Sequence, residues 1–153
     1  MGKIDPNKIS ITSIKTLKGN INSNEEELDV TVKQYQIECT SETAVNIDEK
    51  LIRVLFKIDI FVLNDRSEKT STDASYTNEF IFLIDNLDEL TELLDNGIVE
   101  IDVELSKTLL SLAFSTSRGM IFSRTQGTIL NGIILPVVNP NNLLNSIKPI
   151  EGK

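Results

Sequence analysis

From Ile52 to Val62 every even position is apolar: Ile52, Val54, Phe56, Ile58, Ile60 and Val62. The odd positions mix Leu51, Leu55, Phe61 and Leu63 with Arg53, Lys57 and Asp59. Strand side chains alternate between faces, so this run predicts a strand with one wholly apolar face. After a polar turn over 64–72, Ala74, Tyr76, Phe80, Phe82 and Ile84 fall on one face of a further strand. Upstream, Ile9, Ile11, Leu17 and Ile21 keep a broken period of two, which predicts a first strand over 9–21 with a bulge or bend at Gly19-Asn20. Between these runs, Leu28, Val30 and Val32 lie on even positions and Tyr35, Ile37 and Cys39 on odd ones. One inserted residue near Lys33-Gln34 explains that change of phase. Residues 22–27 and 40–49 read as polar connections.

The period then changes. Leu87, Leu90, Leu93 and Leu94 have helical spacing, and Asp95-Asn96-Gly97 stops that short helix. A longer helix is predicted over 103–127. One stripe of it runs Leu105, Leu109, Leu112, Thr116, Gly119, Met120, Ser123 and Gly127, and another face carries Leu110, Phe114 and Ile121. Apolar and small residues over so wide an arc need cover on more than one side. Glycine inside a helix costs about 1 kcal/mol against alanine, so Gly119 points to close packing. Leu112, Thr116, Gly119, Met120 and Ser123 are therefore candidates for contact with a second subunit. Residues 128–138 read as a loop from Asn131-Gly132 and Pro136, yet seven of the eleven are apolar. Asn139 can cap a last short helix with Pro140 at its first position and Leu143, Leu144 and Ile147 as its stripe, ended by Pro149. The class is α+β: a four-stranded antiparallel sheet followed by a long helix and a short C-terminal helix, in one domain over 1–153.

Composition narrows the chemistry. The formal net charge is -8 and the sequence pI about 4.6. Nucleic acid and anionic membranes want the opposite sign on one face, so neither is an expected partner. Without histidine, neither a Ser-His nor a Cys-His pair can form, and the commonest metal ligand is missing. Cys39 has no partner for a disulfide or a thiolate zinc site, and it reads as a small buried hydrophobe. The glycines are scattered singly, with no phosphate-binding loop. The acidic group Asp85, Asp88, Glu89, Glu92 and Asp95 reads as the wet face of the Leu87–Leu94 helix. No enzyme activity and no cofactor are expected. Neither a signal peptide nor a membrane span is evident, so a cytoplasmic location is expected.

What remains is apolar surface that one subunit does not cover. Here the sequence resembles the SecB family of protein-export chaperones. That family ends its long helix in a Ser-Arg-Gly-Thr-like run, followed by an apolar loop and a Leu-x-Pro-Val-Asn-Phe-Asp-Ala-Leu-type motif. This chain has Ser123-Arg124-Thr125-Gln126-Gly127-Thr128, then Leu135-Pro136-Val137-Val138-Asn139-Pro140-Asn141-Asn142-Leu143-Leu144. Leu135, Val138, Asn139 and Leu143 match in one register, the proline shifts to Pro136, and Pro140 and Asn141 stand for Phe and Asp. The resemblance implies a homotetramer built as a dimer of dimers with the long helices between dimers. It also implies a groove for non-native polypeptide lined by Ile129, Leu130, Ile133, Ile134, Leu143, Leu144 and Ile147. The family docks the export ATPase SecA through acidic residues on the sheet surface, where Asp59 is the candidate. The function implied is that of an ATP-independent holdase. The alternatives are a SecB-like protein dedicated to one partner, as in a toxin–antitoxin system, and an assembly subunit with no chaperone activity.

Overall fold

The computed structural model describes residues 2–23 and 34–144. Four long strands form one antiparallel sheet: β1 (Ile9–Asn22), β2 (Gln34–Asn46), β3 (Leu51–Leu63) and β4 (Lys69–Ile84), in the spatial order β1-β4-β3-β2. A small hairpin follows, made of β5 (Thr91–Leu93) and β6 (Val99–Ile101). Helix α1 (Val103–Arg124) and the short helix α2 (Pro140–Leu144) complete the described chain. The architecture is the α+β arrangement that the hydrophobic pattern predicts.

β3 and β4 sit at the centre because both alternate without interruption. Ile52, Val54, Phe56, Ile58 and Ile60 lie directly beside Phe82, Phe80, Asn78, Tyr76 and Ala74 on one face. α1 covers this inner face with Leu105, Leu109, Leu110, Ala113, Phe114 and Ile121, all buried. Phe114 meets Phe56 edge-on, with ring centroids 6.1 Å apart. Burying each such side chain contributes roughly 1.5–3 kcal/mol. The segment after α1 adds Leu130, Ile133, Leu135 and Leu143 to the same core. One polar chain crosses it. The Asn78 amide donates to Ser117 Oγ at 3.0 Å, and the Thr16 hydroxyl donates to Asn78 Oδ1 at 2.8 Å. That chain links β1, β4 and α1. The helix starts where the Asp102 carboxylate accepts from the N–H groups of Glu104 and Leu105, at 2.8 and 3.1 Å.

Several expectations need correction. β1 does not bend at Gly19-Asn20; its register shifts twice, between Ile11 and Ser13 and between Thr16 and Lys18. Each shift swaps the faces of the strand, so Ile14 joins the inner face beside Phe80 yet stays 41% exposed, and Leu17 sits at a bulge and is exposed too. Gly19 instead leaves room for the Tyr76 ring, which a Cβ there would meet at 3.1 Å. The polar connection expected over 40–49 is strand as far as Asn46, because β2 pairs with β3 residue for residue from Gln34↔Leu63 to Asn46↔Leu51. The helix expected over Leu87–Leu94 is a single 3-10 turn, Leu87–Leu90, followed by the β5–β6 hairpin. Leu87 and Leu90 are buried by that turn, whereas Leu93 is 68% exposed. Asn96-Gly97 is the hairpin connection, with Gly97 at φ 81° and the Ile98 N–H donating to Asn96 Oδ1. α1 ends at Arg124 rather than 127. The bulge expected near Lys33 and the residues Leu28, Val30, Val32, Ile147 and Pro149 lie outside the described residues.

Candidate functional site

The sheet has two unlike edges. β1 carries two bulges and the lysines Lys15 and Lys18, devices that discourage another strand from pairing. β2 carries no bulge along its 13 residues, and among the described residues nothing pairs with its outer edge. Its helix-side face presents Tyr35, Ile37, Cys39 and Val45, all only half-buried, because α1 lies over β3 and β4. Its other face, Gln34, Gln36, Glu38, Thr40, Glu42, Ala44 and Asn46, is exposed and carries no basic residue.

The segment after α1 reaches back to this edge. Thr125 closes the helix by donating its hydroxyl to the Ile121 carbonyl at 2.8 Å, and Gly127 and Gly132 turn the chain at φ 74° and 81°. From Ile133 to Asn139 the backbone has no regular secondary structure and belongs to no sheet. The Tyr35 hydroxyl donates to the Ile134 carbonyl and ties this segment to β2. Asn139 Oδ1 accepts the Asn141 N–H at 3.0 Å and starts α2, as the sequence suggested.

The groove residues inferred from the resemblance divide sharply. Leu130, Ile133 and Leu143 are core members with next to no exposed surface, so they support the segment from beneath. Ile129 and Leu144 are half-buried. Ile134 is 62% exposed. Val137, absent from that set, is 88% exposed. The accessible apolar surface is thus Ile134, Val137 and parts of Val138 and Leu144, near the half-buried row of β2. Its signal in the sequence was the odd-numbered alternation Tyr35, Ile37, Cys39, which β3 and α1 leave uncovered.

A second apolar area lies on α1. Leu112, Gly119, Phe122 and Ser123 are exposed, and Thr116 and Met120 half-buried. A Cβ at Gly119 would meet nothing within 4 Å, so nothing inside this chain demands glycine there. Asp59, on the outer face of β3, lies 3.6 Å from Lys57. Among the described residues no group of three or more Cys, Asp and Glu is placed to hold a metal ion, and no helix is long and apolar enough to cross a membrane.

No protein-family model and no curated protein matches the sequence. Solved structures do match the fold. The SecB-like chaperone of Mycobacterium tuberculosis, solved in complex with a ChAD peptide from the HigA1 antitoxin, superimposes with a TM-score of 0.59 at 12% identity. The alignment covers 87% of this chain and 92% of that one. The fold is SecB-like. A protein of unknown function from Streptococcus agalactiae aligns with a TM-score of 0.41 at 12% identity, over 84% of this chain and 97% of the other.

Proposed function

We propose that this chain is an ATP-independent holdase that keeps non-native polypeptide extended along β2 and the segment 133–139. The observation that carries the reading is the exposure of Ile134 and Val137, on a segment tied to β2 through Tyr35, and a β2 edge that no described residue pairs. Main-chain hydrogen bonds to such an edge accept any sequence, and an apolar strip adds affinity without demanding one side chain. The acidic exterior keeps a protein with sticky surface soluble. The α1 stripe is the contact between copies, and a tetramer is the assembly that covers it. A second reading, a chaperone dedicated to one partner, draws on the SecB-like structure solved with an antitoxin peptide. SecA docking through Asp59 belongs to the export version of the first reading.

Light scattering by several unrelated, chemically unfolded proteins, with and without an equal amount of this chain, separates the two. The holdase suppresses aggregation of most of them. Ile134→Asp with Val137→Asp removes most of that suppression while the mass of the assembly stays unchanged. A double variant that protects as well as the parent puts the site elsewhere. No protection of any client favours the dedicated reading.

A further inference from the structure

The β5–β6 hairpin lies at the end of the sheet opposite the β3–β4 turn, and the holdase reading does not use it. Residues 85–104 hold eight Asp and Glu and no Lys or Arg. Among the described residues, ion pairs reach Glu79 from Arg53 at 2.8 Å, Asp59 from Lys57 and Glu38 from Lys69, and within the segment only Glu104, from Lys107. On the 3-10 turn and the hairpin, Asp88, Glu92, Asp95 and Glu100 have no ion pair among the described residues. Glu92 stands directly opposite Glu100. Like charges across a strand pair repel, and among the described residues no cation pairs with either of them.

The faces of the ribbon differ. Directly paired residues share a face, so Glu92 and Glu100 lie on one side, and Leu93 and Val99 on the other. Leu93 and Ile98 are exposed. Among the described residues no third strand joins this two-stranded sheet. Two-stranded ribbons are marginal alone and gain from a third strand.

We propose that the hairpin is a docking site for an extended polypeptide segment in which basic and apolar residues alternate, added as a third strand. A period of two places the basic residues on the Glu92/Glu100 side and the apolar ones on the Leu93/Val99 side at the same time. The sign of the charge selects this occupant over a second hairpin, since two hairpins face to face would bring their carboxylates together. The site is independent of the β2 groove.

The test uses the full chain and a fluorescent ten-residue peptide of alternating Lys and Val, followed by anisotropy. A Glu-Val peptide of equal length is the control. The Lys-Val peptide binds, more tightly at low salt, and the Glu-Val peptide does not. Glu92→Gln with Glu100→Gln keeps the fold, by circular dichroism, and weakens binding about tenfold. Glu92→Lys with Glu100→Lys abolishes it. Asp65→Lys with Glu68→Lys, the same charge change on the β3–β4 turn, shifts affinity by less than about threefold. Equal loss from the turn variant means unspecific attraction to an acidic protein and overturns the proposal. So does loss only from Ile134→Asp with Val137→Asp, which assigns the peptide to the groove. A change in assembly mass on hairpin substitution, with peptide binding intact, makes this face a copy–copy contact and also overturns it.

Discussion

Cys39 sits half-buried on the helix-side face of β2. Burial first, and the nearby charge of Asp59 second, push its thiol from 9.0 to about 11. The folded state therefore holds the proton where the unfolded chain has begun to release it. That contribution to stability is complete below the unfolded value and fades as pH rises through the folded one. Between pH 9 and about 11 the parent should lose stability relative to Cys39→Ser, while below about pH 8 their denaturation midpoints should run parallel. Diverging curves at neutral pH would mean the thiol acts through packing alone. The small, apolar role of Cys39 was legible in the sequence. The split within the groove set was not. Leu130, Ile133, Ile134, Val137 and Leu143 are chemically alike, and only the path of the chain over α1 and β2 decides which of them remain outside.

Among the elements, α1 is held over the sheet partly by shape and partly by the chain Thr16–Asn78–Ser117. Asn78→Ala strands the buried Ser117 hydroxyl and the half-buried Thr16 hydroxyl and should cost about 2 kcal/mol in a urea titration. Asn78→Leu with Ser117→Ala removes both partners of the buried bond and should cost much less, since matched apolar replacement leaves fewer buried polar atoms unpaired. A double variant as unstable as the single one would show that Asn78 matters for volume. β3 and β4 were readable because the alternate positions 52–62 and 74–84 are apolar except for Asn78. The far half of β2 was not, because two of its three helix-side residues there are Ser41 and Thr43, and pairing with β3 overrides their polarity. Leucine spacing over 87–94 imitates a helix. Asn96-Gly97, a strong short-range hairpin signal, was the cue that outranked it.

At the scale of the whole molecule, strand order could not be derived from periodicity, but the layer arrangement could, since one apolar sheet face calls for one helix layer. On the proposed function, the uncovered stripe of α1 is where one copy meets another. Gly119→Leu fills the gap that a second backbone would occupy and should lower the mass measured by light scattering. An unchanged mass would refute the packing argument. The two edges of the sheet carry a further consequence. β2 is 13 residues long, and a strand advances about 3.3 Å per residue, so a segment paired along it lies straight over about 43 Å. On the proposed function, a client so stretched cannot bring its own distant residues together. Folding and clumping both need that meeting. The straight edge would then act on time, postponing collapse for as long as the segment stays bound, while the bulges and lysines of β1 discourage pairing at the opposite edge.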